Sequence, residues 1–418
     1  MNQMETACNW AGVREVVIVG GGAAGIGVAA SLQKRQANLK ITIIEPASKH
    51  YYQPAWTLVG AGEFDVTKTE RNMADCMPNS VEWIQVNATG FDADKNLVLL
   101  ENGESIEYQQ LVVAAGLKID WDAIPGLSET LGKNGVTSNY RFDLAPYTWQ
   151  LVQSLKSGKA IFTQPAMPIK CAGAPQKAMY LSCSHWEKAG VLGNIEVDFS
   201  NAGGVLFGVS TYVPPLMRYI NRYNAKLNFN ATLIAVDGAA KKAWFNVKDA
   251  DGNITKVEKL FDMLHVVPPQ SAPDFIKQSS LADAAGWVEV NQSTLQHARY
   301  NNIFSLGDAC SSPNSKTVAA ARKQVVVVAD NLISLRTGQP LSTAYDGYGS
   351  CPLTVEIGKV ILAEFGFGGK LLPTFPFDST VPRRLNWLLK KYMLPWLYWN
   401  AMLKGREWLA ESTNPEHR

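Results

Sequence analysis

One cysteine stands where many nucleotide-binding proteins place a glycine-rich turn. Cys171 lies in the segment PIKCAGAPQKAMYLS, which follows a short apolar strand and is predicted to open a helix. A helix N-terminus favours a thiolate over a thiol, and so do the neighbouring cations Lys170 and Lys177. The sequence therefore predicts a nucleophilic sulfur at Cys171.

A second cysteine could complete a redox pair. Cys351 lies in the segment YDGYGSCPLTVE, whose glycines and proline predict a tight loop. Two thiols and a flavin can form a relay, in which a disulfide accepts a nucleophile and a released thiolate passes electrons onward. The alternative is a buried apolar cysteine, the commoner fate of a free thiol. We predict that buried role for Cys76 and Cys183 and a frayed terminus around Cys8. Cys310 closely follows a Gly-Asp pair and could lie near the flavin, although a functional role is the less favoured alternative.

The strongest motif is a dinucleotide-binding turn near the N-terminus. In REVVIVGGGAAGIGVAASLQKR, a buried strand runs into Gly20, Gly22 and Gly25 and then into a helix rich in small residues. These glycines allow a tight turn, close approach to a pyrophosphate, and close packing of helix on strand. Glu45 ends the next predicted strand, where a carboxylate can accept hydrogen bonds from ribose hydroxyls.

Two later segments favour FAD over NAD at this site. The segment 106–116 is an apolar strand that ends at a glycine, and 301–312 is another strand that runs into Gly307 and Asp308. In flavoproteins with two dinucleotide domains, such a Gly-Asp pair contacts the ribityl and phosphate region of FAD. The alternative is that Asp308 is a simple helix N-cap.

The chain is predicted to be an α/β protein with two Rossmann-like dinucleotide-binding domains, of the FAD/NAD-linked reductase type, and a C-terminal membrane-associating region. We assign 12–158 and 291–345 to an FAD-binding domain, 159–290 to a second Rossmann-like domain, and 346–418 to the C-terminal region. The second domain offers QPAMPIKCAGAPQK where relatives that use NADH carry glycines. We therefore expect no nicotinamide binding and a different electron donor.

Composition excludes several classes of function. A chain of 418 residues with 46% hydrophobic residues and a net charge of +2 is globular, and its charge gives no reason to expect a nucleic-acid partner. Its six cysteines have neither the spacing of a disulfide scaffold nor that of a zinc site, so no metal is predicted. The N-terminus resembles neither a signal peptide nor a transit peptide, and no segment is long and apolar enough to span a bilayer.

The C-terminal segment VPRRLNWLLKKYMLPWLYWNAMLKGREWLA, residues 381–410, combines tryptophans with interleaved cations. Two short helices broken at Pro395, with aromatic residues on one side and cations on the other, would form an interfacial membrane anchor. The alternative is an apolar helix pair packed on the protein core. A passage for a membrane quinone could be lined by aromatic residues: Tyr348, Phe365, Phe375 and Phe377.

Taken together, these segments resemble the sulfide:quinone oxidoreductase family, in its form with two redox cysteines. KCAGAPQK and YDGYGSCPL are highly specific, and further matches such as EPASKHYYQPAWTLVGAG, TLQHARYNNIFSLGD and TFPFD extend the resemblance from residue 16 to about 405. The resemblance implies that Cys171 and Cys351 are the catalytic pair, with Cys351 attacked by sulfide and Cys171 facing the flavin. It also implies non-covalent FAD, held by Gly20, Gly22, Ala23, Ala24, Gly25, Glu45, Gln53, Ala88, Gly307, Asp308 and Lys316.

The same resemblance implies the partners. The substrates are hydrogen sulfide and either ubiquinone or menaquinone. The sulfur acceptor is sulfite, polysulfide or a thiol such as glutathione. The chain would bind a membrane surface through 381–410, and a homo-oligomer is compatible with the resemblance. The expected location is the bacterial cytoplasmic membrane, or the mitochondrial inner membrane if the sequence is a processed form. The alternatives are a type II NADH:quinone oxidoreductase, which the missing second glycine turn disfavours, and a non-catalytic FAD-binding sulfide sensor.

Overall fold

The structure is a computed structural model that describes residues 12–410, so Cys8 and residues 411–418 lie outside the described part. From the N-terminus to residue 158 its elements are β1 Arg14–Val19, α1 Ala23–Arg35, β2 Ile41–Ile44, β3 Lys49–Tyr51, α2 Trp56–Val59, β4 Glu70–Asn72, α3 Met73–Cys76, β5 Val81–Ile84, β6 Ala88–Asp92, β7 Leu97–Leu100, β8 Ser105–Val113, β9 Lys118–Ile119, α4 Leu127–Thr130, β10 Val136–Thr137 and α5 Leu144–Ser154.

The middle of the chain continues with β11 Gly158–Gln164, α6 Ala174–Lys188, β12 Ile195–Asn201, α7 Val213–Arg222, β13 Lys226–Asn228, β14 Ala231–Asp237, β15 Lys242–Lys248, β16 Ile254–Leu260, β17 Met263–His265, β18 Gln270–Ser271 and α8 Asp274–Lys277. The last part contains β19 Ile303–Ser305, α9 Val318–Arg336, β20 Gly349–Glu356, β21 Lys359–Phe365, α10 Arg384–Leu388 and α11 Leu394–Asn400, with a π-helical turn Leu389–Met393 between α10 and α11.

The first sheet is the parallel sheet predicted for a dinucleotide domain. Its parallel strands run in the order β5-β2-β1-β8-β19, and the antiparallel pair β7 and β6 extends it from the first half of β8. Helices α1 and α9 pack together in one core with residues of β1, β2 and β8. Because the carboxyl ends of β1, β8 and β19 meet at one edge, the glycine turn after β1 and the Gly-Asp pair after β19 come together there.

The second sheet has the strand order β10-β17-β11-β12-β13, and all of its pairs are parallel. Its buried strands read as continuous apolar runs such as AIF in β11, which is typical of a parallel sheet covered on both faces. Strand β10 joins this sheet although it lies within 12–158, the range assigned to the first domain. The domain ranges themselves stay predictions.

The loop predicted around Cys351 is wrong. Cys351 lies inside β20, where it pairs with Ala363 of the antiparallel neighbour β21. The glycines that suggested a loop lie at and before the start of this strand, with Gly347 at φ +81° in the turn that leads into it. A strand holds the sulfur more rigidly than a loop would.

The predicted break at Pro395 is also wrong. The chain stays helical from α10 through the π-helical turn into α11, and Pro395 lies just after that turn. Pro395 has no N–H to bond back into the preceding turn, and that turn is the π-helical one. Among residues 12–410, no helix has the length and apolar character needed to cross a membrane.

The tryptophans of this segment do not share one face. Trp387 and Trp399 are buried against the protein, whereas Trp396 and Trp408 are about half exposed, at 49% and 51%. Lys390, expected on a cationic outer face, is also buried. Both alternatives for the segment are therefore partly realised, because one side of the helix packs on the core and the other side is uncovered.

Candidate active site

The glycine turn after β1 has the shape that a dinucleotide requires. Gly20 has φ +107°, and a Cβ on Gly25 would lie 1.9 Å from the carbonyl oxygen of Gly20, so neither position accepts a side chain. A Cβ on Gly22 would meet nothing within 4 Å, so the protein leaves open space there. Helix α1, which begins with Ala23 and Ala24, has no side-chain cap and no acidic residue in its first turn. Its free N–H groups can therefore receive a pyrophosphate.

This contrast between two glycines gives a first prediction. Gly22→Val should fold normally but lose most of its FAD, because its side chain fills ligand space without touching protein. Gly25→Val should instead destabilise the protein by several kcal/mol, since its Cβ overlaps backbone; overpacking alone typically costs about 1–3 kcal/mol. The flavin-to-protein absorbance ratio and thermal unfolding of the apoprotein measure the two effects. Full FAD content in Gly22→Val would contradict the assignment.

Other predicted FAD residues lie around this turn. Glu45 reaches across it and accepts hydrogen bonds from the backbone N–H groups of Gly21 at 2.7 Å and Ala47 at 2.8 Å. Gly307 packs against the first turn of α1, because a Cβ built on it would lie 3.2 Å from Cβ of Ala24. Ala88 is the first residue of β6, four residues after the end of β5. The structure thus brings the two predicted halves of the FAD site together, while the contact of each residue with FAD stays a prediction.

Asp308 and Lys316 form a buried charged region behind the Gly-Asp pair. Lys316 donates to the carbonyl oxygens of Asp308 at 2.8 Å and Cys310 at 3.0 Å, and its Nζ lies 3.9 Å from the centroid of the Trp287 ring. Burial raises the pKa of the Asp308 carboxyl, and the charges of Lys316 and Lys170 oppose that rise. The ammonium of Lys316 is thus already bonded within the protein, and its predicted place beside the flavin ring stays a prediction.

Lys170 connects the predicted flavin site to the cysteines. Its Nζ donates to Oε1 of Gln53 at 2.5 Å and lies above the rings of Trp56 and Tyr140. Burial lowers the pKa of Lys170 to about 8, against the attraction of Asp308 and Cys171. Gln53, predicted to hold FAD, is therefore one hydrogen bond away from the residue that precedes Cys171.

The structure brings Cys171 and Cys351 together although 180 residues separate them. Their Sγ atoms are 3.5 Å apart, both as free thiols, which is close enough for a disulfide to form after a small rotation. Cys171 has φ +52°, and its N–H donates to the carbonyl oxygen of Lys316 at 2.8 Å. This strained loop immediately before α6 directs the thiol toward β20.

Gly173 makes the approach possible, and the sequence alone did not single it out. A Cβ at this position would lie 2.6 Å from Sγ of Cys351 and 2.4 Å from Cδ2 of Leu353. The residue has an ordinary φ of −90°, so space rather than backbone conformation requires glycine here. Only a close packing of α6 on β20 reveals this requirement.

A buried lysine polarises the pair. Lys177, on the first turn of α6, places its Nζ 3.0 Å from Sγ of Cys171 and 3.7 Å from Sγ of Cys351. A hydrogen bond from Cys351 and the charge of Lys177 hold the pKa of Cys171 well below its usual value, although burial opposes this. The same hydrogen bond and burial raise the pKa of Cys351 well above its usual value. Cys171 is therefore the thiolate and Cys351 the thiol.

A second lysine reaches the pair from the C-terminal segment. Lys390, in the π-helical turn, is buried near Lys177 and both cysteines. Burial and the charge of Lys177 lower the pKa of Lys390 to about 7. The sequence predicts this lysine on the outer, cationic side of a membrane anchor, because nothing in the surrounding run of tryptophans and cations distinguishes an inward position. The side chain is instead buried, where its charge acts on both thiols.

The lowered pKa of Lys390 gives a pH prediction. Its charge is present below a pH of about 7 and is lost above it. Lys390→Met should therefore move the acid limb of Cys171 alkylation, measured on the reduced protein, to higher pH, whereas the two proteins should converge at alkaline pH. Lys391→Met, which removes a neighbouring lysine paired with Glu63, is the matched control. A difference of equal size at every pH would contradict this account.

Three further cysteines lie among residues 12–410. Cys76, Cys183 and Cys310 are buried, and burial raises the pKa of each thiol. Cys310 donates to the carbonyl oxygen of Gly307 at 3.4 Å, which keeps it close to the Gly-Asp pair. His50 bonds the carbonyl oxygen of Gly21 and the hydroxyl of Tyr398, and so joins the glycine turn to α11. Within residues 12–410, no group of three His, Cys, Asp or Glu side chains could hold a metal ion.

Comparison with known proteins identifies the family. Residues 14–159 match the family model described as pyridine nucleotide-disulphide oxidoreductase. A mitochondrial sulfide:quinone oxidoreductase from Dictyostelium discoideum is 42% identical over 96% of this chain and 88% of its own length. The chain belongs to the sulfide:quinone oxidoreductase family. The mitochondrial enzyme of Mus musculus is 40% identical over 94% of this chain and 86% of its own length.

A solved structure agrees with this family membership at the level of the fold. The sulfide:quinone oxidoreductase of Aquifex aeolicus superposes with a TM-score of 0.75 at 21% identity, covering 93% of this chain and 92% of that one. The predicted α/β fold of the reductase type is confirmed. FAD is the cofactor of this family and of this chain, in agreement with the glycine turn, the open space at Gly22 and the uncapped start of α1.

Proposed function

We propose that this chain oxidises hydrogen sulfide at the Cys171–Cys351 pair and transfers two electrons through FAD to a membrane quinone. The observation that carries the proposal is the pair itself, with sulfur atoms 3.5 Å apart and Lys177 beside both. The family name supports the same reaction, because its members at about 40% identity are sulfide:quinone oxidoreductases. FAD would accept two electrons from the thiol site and pass them to quinone.

The difference between the two thiols gives each a role. In the oxidised pair, hydrosulfide attacks Sγ of Cys351, the S–S bond breaks, and Cys171 leaves as a thiolate. Cys171 suits this part because the charge of Lys177 stabilises its anion, whereas the pKa of Cys351 is raised. Cys351 keeps the sulfur as a persulfide. An acceptor nucleophile then takes the outer sulfur of this persulfide and leaves Cys351 as a thiolate. Oxidation of the two thiolates back to the disulfide would deliver two electrons to FAD, which would serve as the oxidant.

The shape of the second nucleotide domain disfavours NADH as the donor. The turn between β1 and α1 spans only Gly20–Gly22, whereas the connection between β11 and α6 spans 165–173 and carries Lys170 and Cys171. This longer connection lacks the tight glycine turn at which a second pyrophosphate would approach the backbone. A type II NADH:quinone oxidoreductase needs such a turn for its nucleotide.

We also propose the finer partners. The sulfur acceptor is a thiol such as glutathione, sulfite or polysulfide, and Lys177 and Lys390 support an anionic acceptor because both are cations near Cys351. The electron acceptor is ubiquinone or menaquinone. Either the bacterial cytoplasmic membrane or the mitochondrial inner membrane supplies such a quinone. A homo-oligomer is compatible with these roles.

The C-terminal helical segment supports docking on that membrane. Its uncovered side carries Leu385, Leu388, Tyr392 and Trp396, spaced three and four residues apart and all exposed. Its other side packs Trp387 and Trp399 into the protein and reaches the thiols with Lys390. A helix with one face on the protein and one apolar face outside would lie in the plane of the interface.

Charging this face should release the protein from membranes. Leu385→Asp combined with Trp396→Asp should weaken binding to neutral lipid vesicles by about a hundredfold, since two large apolar side chains no longer enter the bilayer. Co-sedimentation with vesicles measures the effect. The matched control is Ile254→Asp, because Ile254 is 64% exposed on the separate sheet β14-β15-β16. Equal loss in the control would mean that the helix is not the anchor.

Anaerobic stopped-flow absorbance tests the function directly. The purified holoprotein is mixed with sulfide and, separately, with NADH. Rapid bleaching of the flavin by sulfide, with a transient long-wavelength band and reoxidation by added quinone, is the expected result. Bleaching by NADH alone would replace the proposal with the NADH:quinone alternative. Flavin that responds to neither donor would indicate the sensor role.

A further inference from the structure

A basic cavity lies between α7 and the tip of the β20–β21 hairpin, and the proposed reaction does not use it. Its volume is about 290 Å³, and its lining residues are Pro215, Arg218, Tyr219, Arg222, Lys359 and Pro382. Half of these are cations, and no acidic residue lines the cavity. Such a lining fits an anion rather than an apolar ligand.

The three cations of the lining differ in the ion pairs that they already make within the protein. Arg222 donates to Glu187 at 2.6 and 3.0 Å and to Glu356 at 2.7 Å, so it fixes the wall of the cavity. Lys359 forms an ion pair with the same Glu356, at 3.2 Å between Nζ and Oε1, and its side chain is 48% exposed. Arg218 is exposed and makes no ion pair or hydrogen bond within residues 12–410. Arg218 and Lys359 can therefore turn toward a bound anion.

Two more arginines follow the cavity wall. Arg383 comes directly after Pro382 and exchanges backbone hydrogen bonds with Val360, the neighbour of Lys359. The Nε of Arg383 is buried without a hydrogen-bond partner. Arg384 is exposed at the start of α10. Together with Arg218, Arg222 and Lys359, these arginines outnumber the nearby carboxylates of Glu187, Glu356 and Asp378, the last of which interacts with Arg383.

The cavity also adjoins the proposed membrane-docking face. Val381, beside the lining residue Pro382, is exposed, and the apolar face of α10 begins with Leu385. A ligand that bound here would therefore have cations on one side and exposed apolar side chains on the other. That combination matches an amphiphile, whose charged group is held in the cavity while its hydrocarbon lies along the helix.

We propose that this cavity binds the phosphate headgroup of an anionic phospholipid, with Arg218 and Lys359 as its main contacts. The inference rests on the proposed membrane docking and deepens it, because it gives the docked protein a preference for acidic lipid. A free phosphate ester offers the same anion but has no hydrocarbon to cover Val381 and Leu385. The adjacent apolar face therefore favours the lipid.

The test compares vesicles of phosphatidylcholine with vesicles that also contain phosphatidylglycerol, using the full-length holoprotein. Arg218→Gln combined with Lys359→Gln should weaken binding to the phosphatidylglycerol vesicles about tenfold or more, as expected for two cations near an anionic surface. Binding to pure phosphatidylcholine should not change. Lys248→Gln combined with Lys256→Gln removes the same charge from the β14-β15-β16 sheet and should leave both values within about twofold.

Each other outcome counts against the site. If both double variants lost equal affinity for phosphatidylglycerol vesicles, the net charge of the protein would explain the loss and no specific site would be needed. If Arg218→Gln with Lys359→Gln also weakened binding to phosphatidylcholine, the cause would be damage to the fold or to the docking helix. Titration with inorganic phosphate at matched ionic strength, followed by calorimetry, is the second arm. If the cavity bound phosphate but the protein showed no preference for acidic lipid, the ligand would be a soluble anion and the lipid proposal would be wrong. Sulfide-dependent flavin bleaching, measured on the same samples, reports separately whether the proposed function holds.

Discussion

Replacing Cys171 with serine should slow sulfide-dependent bleaching of the flavin by at least about a thousandfold, because residues that act as one unit lose nearly all activity together. A serine hydroxyl cannot form the S–S bond that hydrosulfide breaks, and it does not ionise at neutral pH. Cys351→Ser should have the same effect, since the bond needs both sulfur atoms 3.5 Å apart. Anaerobic stopped-flow absorbance at saturating sulfide measures both variants.

The two serine variants should still differ in their chemistry. Cys351→Ser keeps the Cys171 thiolate beside Lys177 at 3.0 Å, so alkylation of the remaining thiol should stay fast. Cys171→Ser removes the hydrogen bond and the charge that raise the pKa of Cys351, but Cys351 stays buried in β20, so its alkylation should be slower than that of half-buried Cys171. This contrast tests which sulfur is the leaving group without relying on turnover.

Cys183→Ser is the matched control for both variants. Cys183 lies on α6, the same helix that carries Lys177, but it is fully buried in an apolar core. Its serine variant should keep normal flavin content and near-normal bleaching. A rate close to wild type in either redox-pair variant would refute the relay, whereas an equal loss in the control would show damage to the fold.

The local parts of the site could be predicted from the sequence. The turn Gly20–Gly22 depends on a strand, a turn and a helix that follow each other directly, so its spacing already indicates its chemistry. For Cys171 the sequence supplies Lys177 on the following helix, whereas the hydrogen bond from Cys351 that also lowers its pKa is a long-range contact. The pairing of Cys171 with Cys351 could not be obtained in this way. It depends on α6 packing against β20, and the resemblance to a known family supplied it.

The errors have the same physical origin. The glycines near Cys351 predict a loop, yet pairing with the neighbouring strand β21 makes this segment a β-strand. Lys390 was expected at a surface because its neighbours are aromatic and cationic, yet it fills a buried position beside sulfur atoms far away in sequence. The need for glycine at position 173 is not visible in the sequence, since only the positions of Leu353 and Cys351 leave no room for a side chain there. Long-range packing decides all three.

Replacing Lys177 with methionine should disable the leaving group while preserving the fold. The side chains have similar length, and residue 177 is buried, so methionine can occupy the same space. The charge that lowers the pKa of Cys171 disappears. A group with a lowered pKa is ionised above that pKa, so in the variant the thiolate should be lost at a higher pH as the solution is acidified. The rate of flavin bleaching near neutral pH should fall at least about tenfold, which corresponds to about 1.4 kcal/mol.

The pH profile separates this electrostatic role from a structural one. Alkylation of the reduced protein across the pH range should show an acid limb displaced upward in Lys177→Met, with rates that approach wild type at alkaline pH. Lys177→Arg keeps a cation near the 3.0 Å position and should recover much of the shift. Lys188→Met removes a lysine from the exposed end of the same helix and should change nothing. An unshifted limb in Lys177→Met would mean that the hydrogen bond from Cys351 alone stabilises the thiolate, and Lys177 would then have no part in releasing Cys171.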